Sequence, residues 1–175
     1  MTANAADPRV KFETTMGDLV LELNPAKAPE TVKNFLEYVT SGHYDGISFH
    51  RIIPGFMIQG GGYDAQYNQR KTRAPIKNEA KNGLKNVRGA ISMARTSDPH
   101  SGSAQFFLVH QDSKFLDYPG QDGWGYAVFG KVVEGLDVLD KIAMTPTGRL
   151  PPFGQDVPKT PVLIKKATVV EAAAK

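Results

Sequence analysis

A closed antiparallel β-barrel capped by two helices is the fold that this sequence predicts, and three observations carry it. Many short runs have strand-like patterning, only two stretches have helical periodicity, and the loops between them are rich in Gly, Asn and Asp. No internal repeat or inter-domain linker interrupts the pattern. Closing such a sheet on itself removes the edges that would otherwise pair with other chains, and helices can cover the open ends.

The elements follow in order. After a polar, flexible leader at residues 1–9, Val10 to Thr14 and Leu19 to Leu23 alternate apolar and polar side chains around Thr15-Met16-Gly17-Asp18, which reads as a β-hairpin. Pro29 opens a segment in which Val32, Phe35, Leu36 and Val39 recur at helical spacing, and Gly42 closes it. Phe49 to Gln59 is the next strand-like run. A period of two puts Arg51, Met57 and Gln59 on one side and Ile52, Phe56 and Ile58 on the other, unless a bend at Pro54-Gly55 turns Phe56 inward too. Gly60-Gly61-Gly62 lacks the phosphate-binding patterns GxGxxG and GxxxxGK[ST] and reads as a tight turn after that strand. Ala90 to Ala94, Gln105 to Val109 and Ala127 to Val133 are further strands. Leu136, Leu139 and Ala143, with Val138 and Ile142 alongside, form the apolar face of the second helix. The Pro-rich stretch from Pro146 to Pro161 reads as a surface loop, because only a terminal strand, Leu163 to Val170, follows it. One domain over residues 10–171 is expected, with a frayed end at 172–175.

At 175 residues the chain can bury about 70% of its unfolded surface without covalent staples. The absence of cysteine excludes disulfides, thiolate catalysis and Cys-based zinc sites. A net charge of +3, with Lys and Arg scattered more than clustered, leaves only a weak nucleic-acid footprint, and no nucleic-acid partner is expected. No run approaches the ~18 apolar residues of a membrane span. The N-terminus lacks a secretory apolar run as well, so cytoplasmic residence is expected, with a periplasmic mature form as the alternative. His43, His100 and His110 have no metal-ligand spacing, and no metal or cofactor is expected.

Residues 49–62, Phe49-His50-Arg51-Ile52-Ile53-Pro54-Gly55-Phe56-Met57-Ile58-Gln59-Gly60-Gly61-Gly62, place a cation and an amide among bulky apolar side chains. Burying a guanidinium is costly unless it is paired, so Arg51 needs either an ion pair, a barrel rim over which to reach water, or a function. Gln105 and Phe107 share one face of a strand, as do Met57 and Gln59. His50 faces away from Arg51 by the same parity.

This segment resembles the signature strand of the cyclophilins, the cyclosporin-binding family of peptidyl-prolyl cis-trans isomerases. Met93-Ala94-Arg95-Thr96 with Ser103-Ala104-Gln105-Phe106-Phe107 is similar to that family's second active-site segment in its bacterial form. Phe115-Leu116 with Gly125-Tyr126-Ala127-Val128-Phe129-Gly130-Lys131-Val132 is similar to the next one, and the likeness runs from Val10 to Val170. The resemblance implies an eight-stranded barrel with a helix at each end, and an isomerase that turns X-Pro bonds in unfolded or flexible polypeptides and so assists folding. Arg51 would be catalytic. Phe56, Met57, Phe107 and Leu116 would form the proline pocket. Gln59 and Gln105 would bond the substrate backbone or orient Arg51, and Ala94 and Arg95 would pair through their main chain with the residue before proline. His50 would sit at the site as a packing and hydrogen-bonding residue. Phe115 and Tyr126 stand where many eukaryotic members carry Trp and His, and the missing indole N–H implies weakened cyclosporin binding. A monomer is expected. A module that grips proline segments without turnover would use the same groove.

Overall fold

The computed structural model describes residues 7–170. The strands are β1 (Arg9–Thr14), β2 (Gly17–Leu23), β3 (Ile47–Ile53), β4 (Met57–Asp64), β5 (Ala90–Met93), β6 (Phe106–Val109), β7 (Val128–Glu134), β8 (Thr147–Leu150), β9 (Gly154–Pro158) and β10 (Leu163–Val170). The helices are α1 (Pro29–Thr40) and α2 (Leu136–Ala143), and a single 3-10 turn spans Lys114–Leu116. Eight strands close into a barrel in the order β1-β10-β3-β4-β6-β5-β7-β2, each antiparallel to its neighbours, while β8 and β9 form a separate hairpin. Most of the leader and all of the expected frayed end lie outside the described residues.

Alternation builds the core. Val10 and Phe12 of β1 and Leu19, Leu21 and Leu23 of β2 point into the barrel, where Phe12, Phe35, Tyr44, Phe106 and Phe129 pack ring against ring. The Tyr44 hydroxyl, fully buried, donates to the Ala104 carbonyl at 2.8 Å, which offsets the cost of burying it. Pro29 stands in the first turn of α1, where its missing N–H costs nothing, and Gly42 just past the end takes φ +80°. The Glu79 carboxylate accepts from the N–H of Thr31 at 2.8 Å, placing negative charge at the helix start. Val138, Leu139, Ile142 and Ala143 bury the inner face of α2, but Leu136, expected on that face, is 40% exposed.

Three expectations are corrected. The run from Phe49 to Gln59 is not one strand but two, β3 and β4, folded on each other about Pro54-Gly55-Phe56. The Pro-rich stretch is not a plain loop: it makes the β8–β9 hairpin, and Phe153 at its tip packs edge-on against Tyr63. Gly60, Gly61 and Gly62 are not a turn but lie inside β4, and a Cβ on Gly61 would stand 2.6 Å from the Ala104 carbonyl oxygen. That approach, with φ +103°, is what glycine permits there.

Candidate active site

Cross-strand register assembles the site. Arg51 on β3 lies opposite Gln59 on β4, and Gln59 lies opposite Phe107 on β6, so a cation, an amide and an aromatic ring form one row across three strands. The row faces the outside of the barrel. There Met57, Phe107 and Val109 pack with Ala94, Leu116 and Val128 in an apolar cluster separate from the barrel core, with Phe56 and Tyr126 at its edge.

A cavity of about 170 Å³ opens at that edge, lined by Arg51, Phe56, Met57, Gln59, Ala94, Arg95, Phe107, Leu116 and Tyr126. At ~30 Å³ per water, this is room for a small ring and its attached carbonyl. A larger cavity of about 390 Å³ lies elsewhere, against the outer side of β2 and β7, and contains none of the site residues. Arg51 is exposed at the slot's mouth and donates toward the Gln59 oxygen at 3.5 Å, a long contact. The Gln59 amide in turn donates to Gln105 at 3.0 Å. Gln105 therefore stands behind the slot and orients Gln59, without lining the wall.

Phe115 also stands off the wall: it is 55% exposed, and its ring lies 5.5 Å from that of Phe56. His50 is turned away. Its ring packs against Tyr63 at 4.7 Å and Phe153 at 5.7 Å, and Nδ1 makes no hydrogen bond to the described residues. Burial first, then the neighbouring Arg51 charge, lowers its pKa to about 4, so it is neutral at physiological pH.

The amide of Ala94 is already committed to the Gln105 carbonyl at 3.0 Å, whereas the Arg95 N–H donates to none of the described residues. The Arg95 side chain is locked. Its guanidinium donates to the Gly125 carbonyl at 2.9 Å and to Asp122 at 2.6 Å and lies 4.5 Å from the Tyr126 ring. Tyr126 meets Phe107 edge-on at 5.6 Å, so Arg95 props one wall of the slot. Asp122, missed in the sequence, is held ionised: the Arg95 hydrogen bond, then the N–H groups of Gly125 and Trp124, lower its pKa to about 2. Its signal was an Asp opening a Gly-rich turn, Asp122-Gly123-Trp124-Gly125.

A shallow slot walled by the side chains of Phe56, Met57, Phe107 and Leu116, with one exposed guanidinium at its mouth and the Gln59 amide at its edge, suits the handling of a ring-bearing amide, and no Ser, Thr, Cys or Lys is among the described residues that line it. Residues 9–169 match the family model described as cyclophilin type peptidyl-prolyl cis-trans isomerase/CLD. Over 164 residues the chain is 54% identical to peptidyl-prolyl cis-trans isomerase B of Escherichia coli, covering 93% of this chain and 99% of that protein. A peptidyl-prolyl cis-trans isomerase of Streptomyces antibioticus is 53% identical over 163 residues, 92% of this chain and 98% of its own. A crystal structure of a Cryptosporidium parvum cyclophilin type peptidyl-prolyl cis-trans isomerase superposes with a TM-score of 0.79 at 27% identity, over 95% of this chain and 99% of that one. The chain belongs to the cyclophilin family. Its activity is peptidyl-prolyl cis-trans isomerisation, and assistance to protein folding is the family's general role.

Proposed function

We propose that the slot takes the pyrrolidine ring of an X-Pro segment in an unfolded or flexible polypeptide, and that Arg51 is the catalytic residue. The observation that carries this reading is the position of Arg51 at the mouth of an apolar slot, in register with Gln59 and Phe107. A solved Cryptosporidium parvum relative, 28% identical with a TM-score of 0.77 over 93% of this chain and 99% of its own, was crystallised in the presence of the dipeptide Ala-Pro, which supports a proline peptide as the ligand.

Rotation about a peptide bond meets a barrier of ~18–20 kcal/mol because the nitrogen lone pair is shared with the carbonyl. In the twisted state that lone pair is localised and accepts a hydrogen bond. A guanidinium aimed at it favours the twisted state over both planar states, which is the differential binding that lowers a barrier. The fixed charge of arginine suits this, since no proton is transferred. In the free protein Arg51 faces water; a seated substrate displaces that water and strengthens its field. Met57, Phe107 and Leu116 hold the ring, Phe56 closes one side, and Gln59, steadied by Gln105, bonds the substrate backbone. The free N–H of Arg95 pairs with the residue before proline.

Replacing Arg51 with Ala is expected to lower kcat/KM at least about tenfold, equivalent to ~1.4 kcal/mol of transition-state stabilisation, while the circular dichroism and melting temperature stay unchanged. A protease-coupled or NMR-exchange assay on an X-Pro peptide measures this, and wild-type turnover in the variant refutes the mechanism. Cyclosporin binds weakly in this reading, because Phe115 offers no donor at the rim; inhibition strengthened by Phe115→Trp supports it, and tight inhibition of the wild type counts against it. We further propose that the chain acts as a monomer on proteins and not on nucleic acids, which sedimentation and the absence of salt-dependent RNA or DNA binding test.

A further inference from the structure

We propose that His110 is a positioning residue for the slot, holding the Pro54 to Phe56 turn by accepting from the Gly55 N–H at Nδ1 while donating to Asp140 at Nε2. The inference rests on the isomerase site being the slot described above. The Gly55 N–H lies 2.8 Å from Nδ1, and the His110 main-chain N–H donates to the Phe56 carbonyl, also at 2.8 Å. An amide N–H can only donate, so Nδ1 carries the lone pair and the ring proton sits on Nε2. Nε2 faces Asp140 Oδ1 at 3.1 Å, and Arg88 grips both oxygens of that carboxylate, at 2.6 and 2.9 Å. The imidazole is 9% exposed and Asp140 stands on α2, so a relay of fixed groups runs from a helix at the barrel end to the turn beside the slot.

The turn does not require this clamp to exist. Phe56 N–H already closes it by donating to the Ile53 carbonyl at 3.0 Å, and Pro54 and Gly55 are exposed. What the clamp adds is orientation. The turn carries Phe56 and joins the strand of Arg51 to that of Met57, so its angle sets how the slot's wall stands relative to the guanidinium. A wall contact made in both ground and transition states acts chiefly on KM.

Two amide substitutions separate the halves of the relay. His110→Asn places an oxygen where Nδ1 stood, and His110→Gln places an N–H where Nε2 stood. We expect His110→Gln to raise KM about threefold or more and to speed hydrogen exchange at the Gly55 amide, and His110→Asn to recover both, although each variant loses one hydrogen bond and similar thermal stability. Equal KM values in the two variants, or an unaltered Gly55 exchange rate in His110→Gln, overturn the proposal. Should His110→Gln not fold, hydrogen exchange in the wild type decides instead: the Gly55 amide, in an exposed turn, is expected to exchange at least about tenfold more slowly than a free peptide amide, and unprotected exchange there overturns the proposal equally. A wild-type protein inactive on X-Pro peptides sinks the isomerase reading instead, and Gly55 exchange still reports on the clamp.

Discussion

His50 and Arg51 are neighbours in β3, yet the pleat sends the imidazole against Tyr63 and Phe153 and the guanidinium to the mouth of the slot. Because burial lowers the folded-state pKa of His50 to about 4, the unfolded chain binds more protons than the native one between there and the ordinary value of 6.5. Stability contributed by the neutral ring is therefore whole above that ordinary value and is lost as pH falls through the window, by roughly 3 kcal/mol if the entire shift is expressed. Urea unfolding from pH 7 to pH 4 measures it. His50→Phe is expected to flatten the slope, leaving the part due to His43, whose pKa burial also lowers. A slope unaltered by the substitution rules out His50 as its source. Parity made the opposed directions of these two residues legible in the sequence, along with the shared face of Met57 and Gln59. The contacts of Asp122 and His110 were not legible, because Arg95 lies 27 residues from Asp122 and Gly55 lies 55 from His110, and no local pattern joins such pairs.

Within β4, Gly61 and Gly62 differ in what a methyl group would meet. At Gly61 it would strike the Ala104 backbone oxygen at 2.6 Å with φ at +103°, and neither can give way. Gly61→Ala is expected to cost at least about 2 kcal/mol in thermal or denaturant unfolding, and a loss below ~0.5 kcal/mol contradicts that account. At Gly62 it would meet the Gln105 side chain at 2.7 Å, and that side chain can swing aside. Gly62→Ala is expected to fold, to break the bond between Gln59 and Gln105, and to raise KM about threefold; an unchanged KM denies Gln105 its orienting part. The glycine run could be seen in the sequence, but its use could not, since close approach depends on a strand that arrives about forty residues later. The β8–β9 hairpin stayed hidden for another reason: its strands are 4 and 5 residues long, largely unburied and interrupted by Gly and Pro.

Two apolar clusters divide the molecule, one filling the barrel and one against its outer wall beneath the slot. Substitutions should separate accordingly. Phe106→Ala in the barrel core is expected to cost ~3–5 kcal/mol in unfolding experiments, whereas Leu116→Ala on the outer cluster, 8% exposed, is expected to weaken peptide turnover more than it lowers the melting temperature. The reverse ranking removes the division. A closed barrel with two helices was legible because short alternating runs need somewhere to hide their edges, but strand order was not, because pairing between distant runs leaves no mark on either alone. That order has a consequence at the chain's ends. Arg9 of β1 stands directly across from Val170 of β10, so the first and last strands are ladder neighbours and the polypeptide traces a loop that is almost shut. A short Gly/Ser bridge from 170 to 9, with new termini cut between exposed Lys71 and Thr72, therefore yields a circular permutant expected to fold and to keep its turnover.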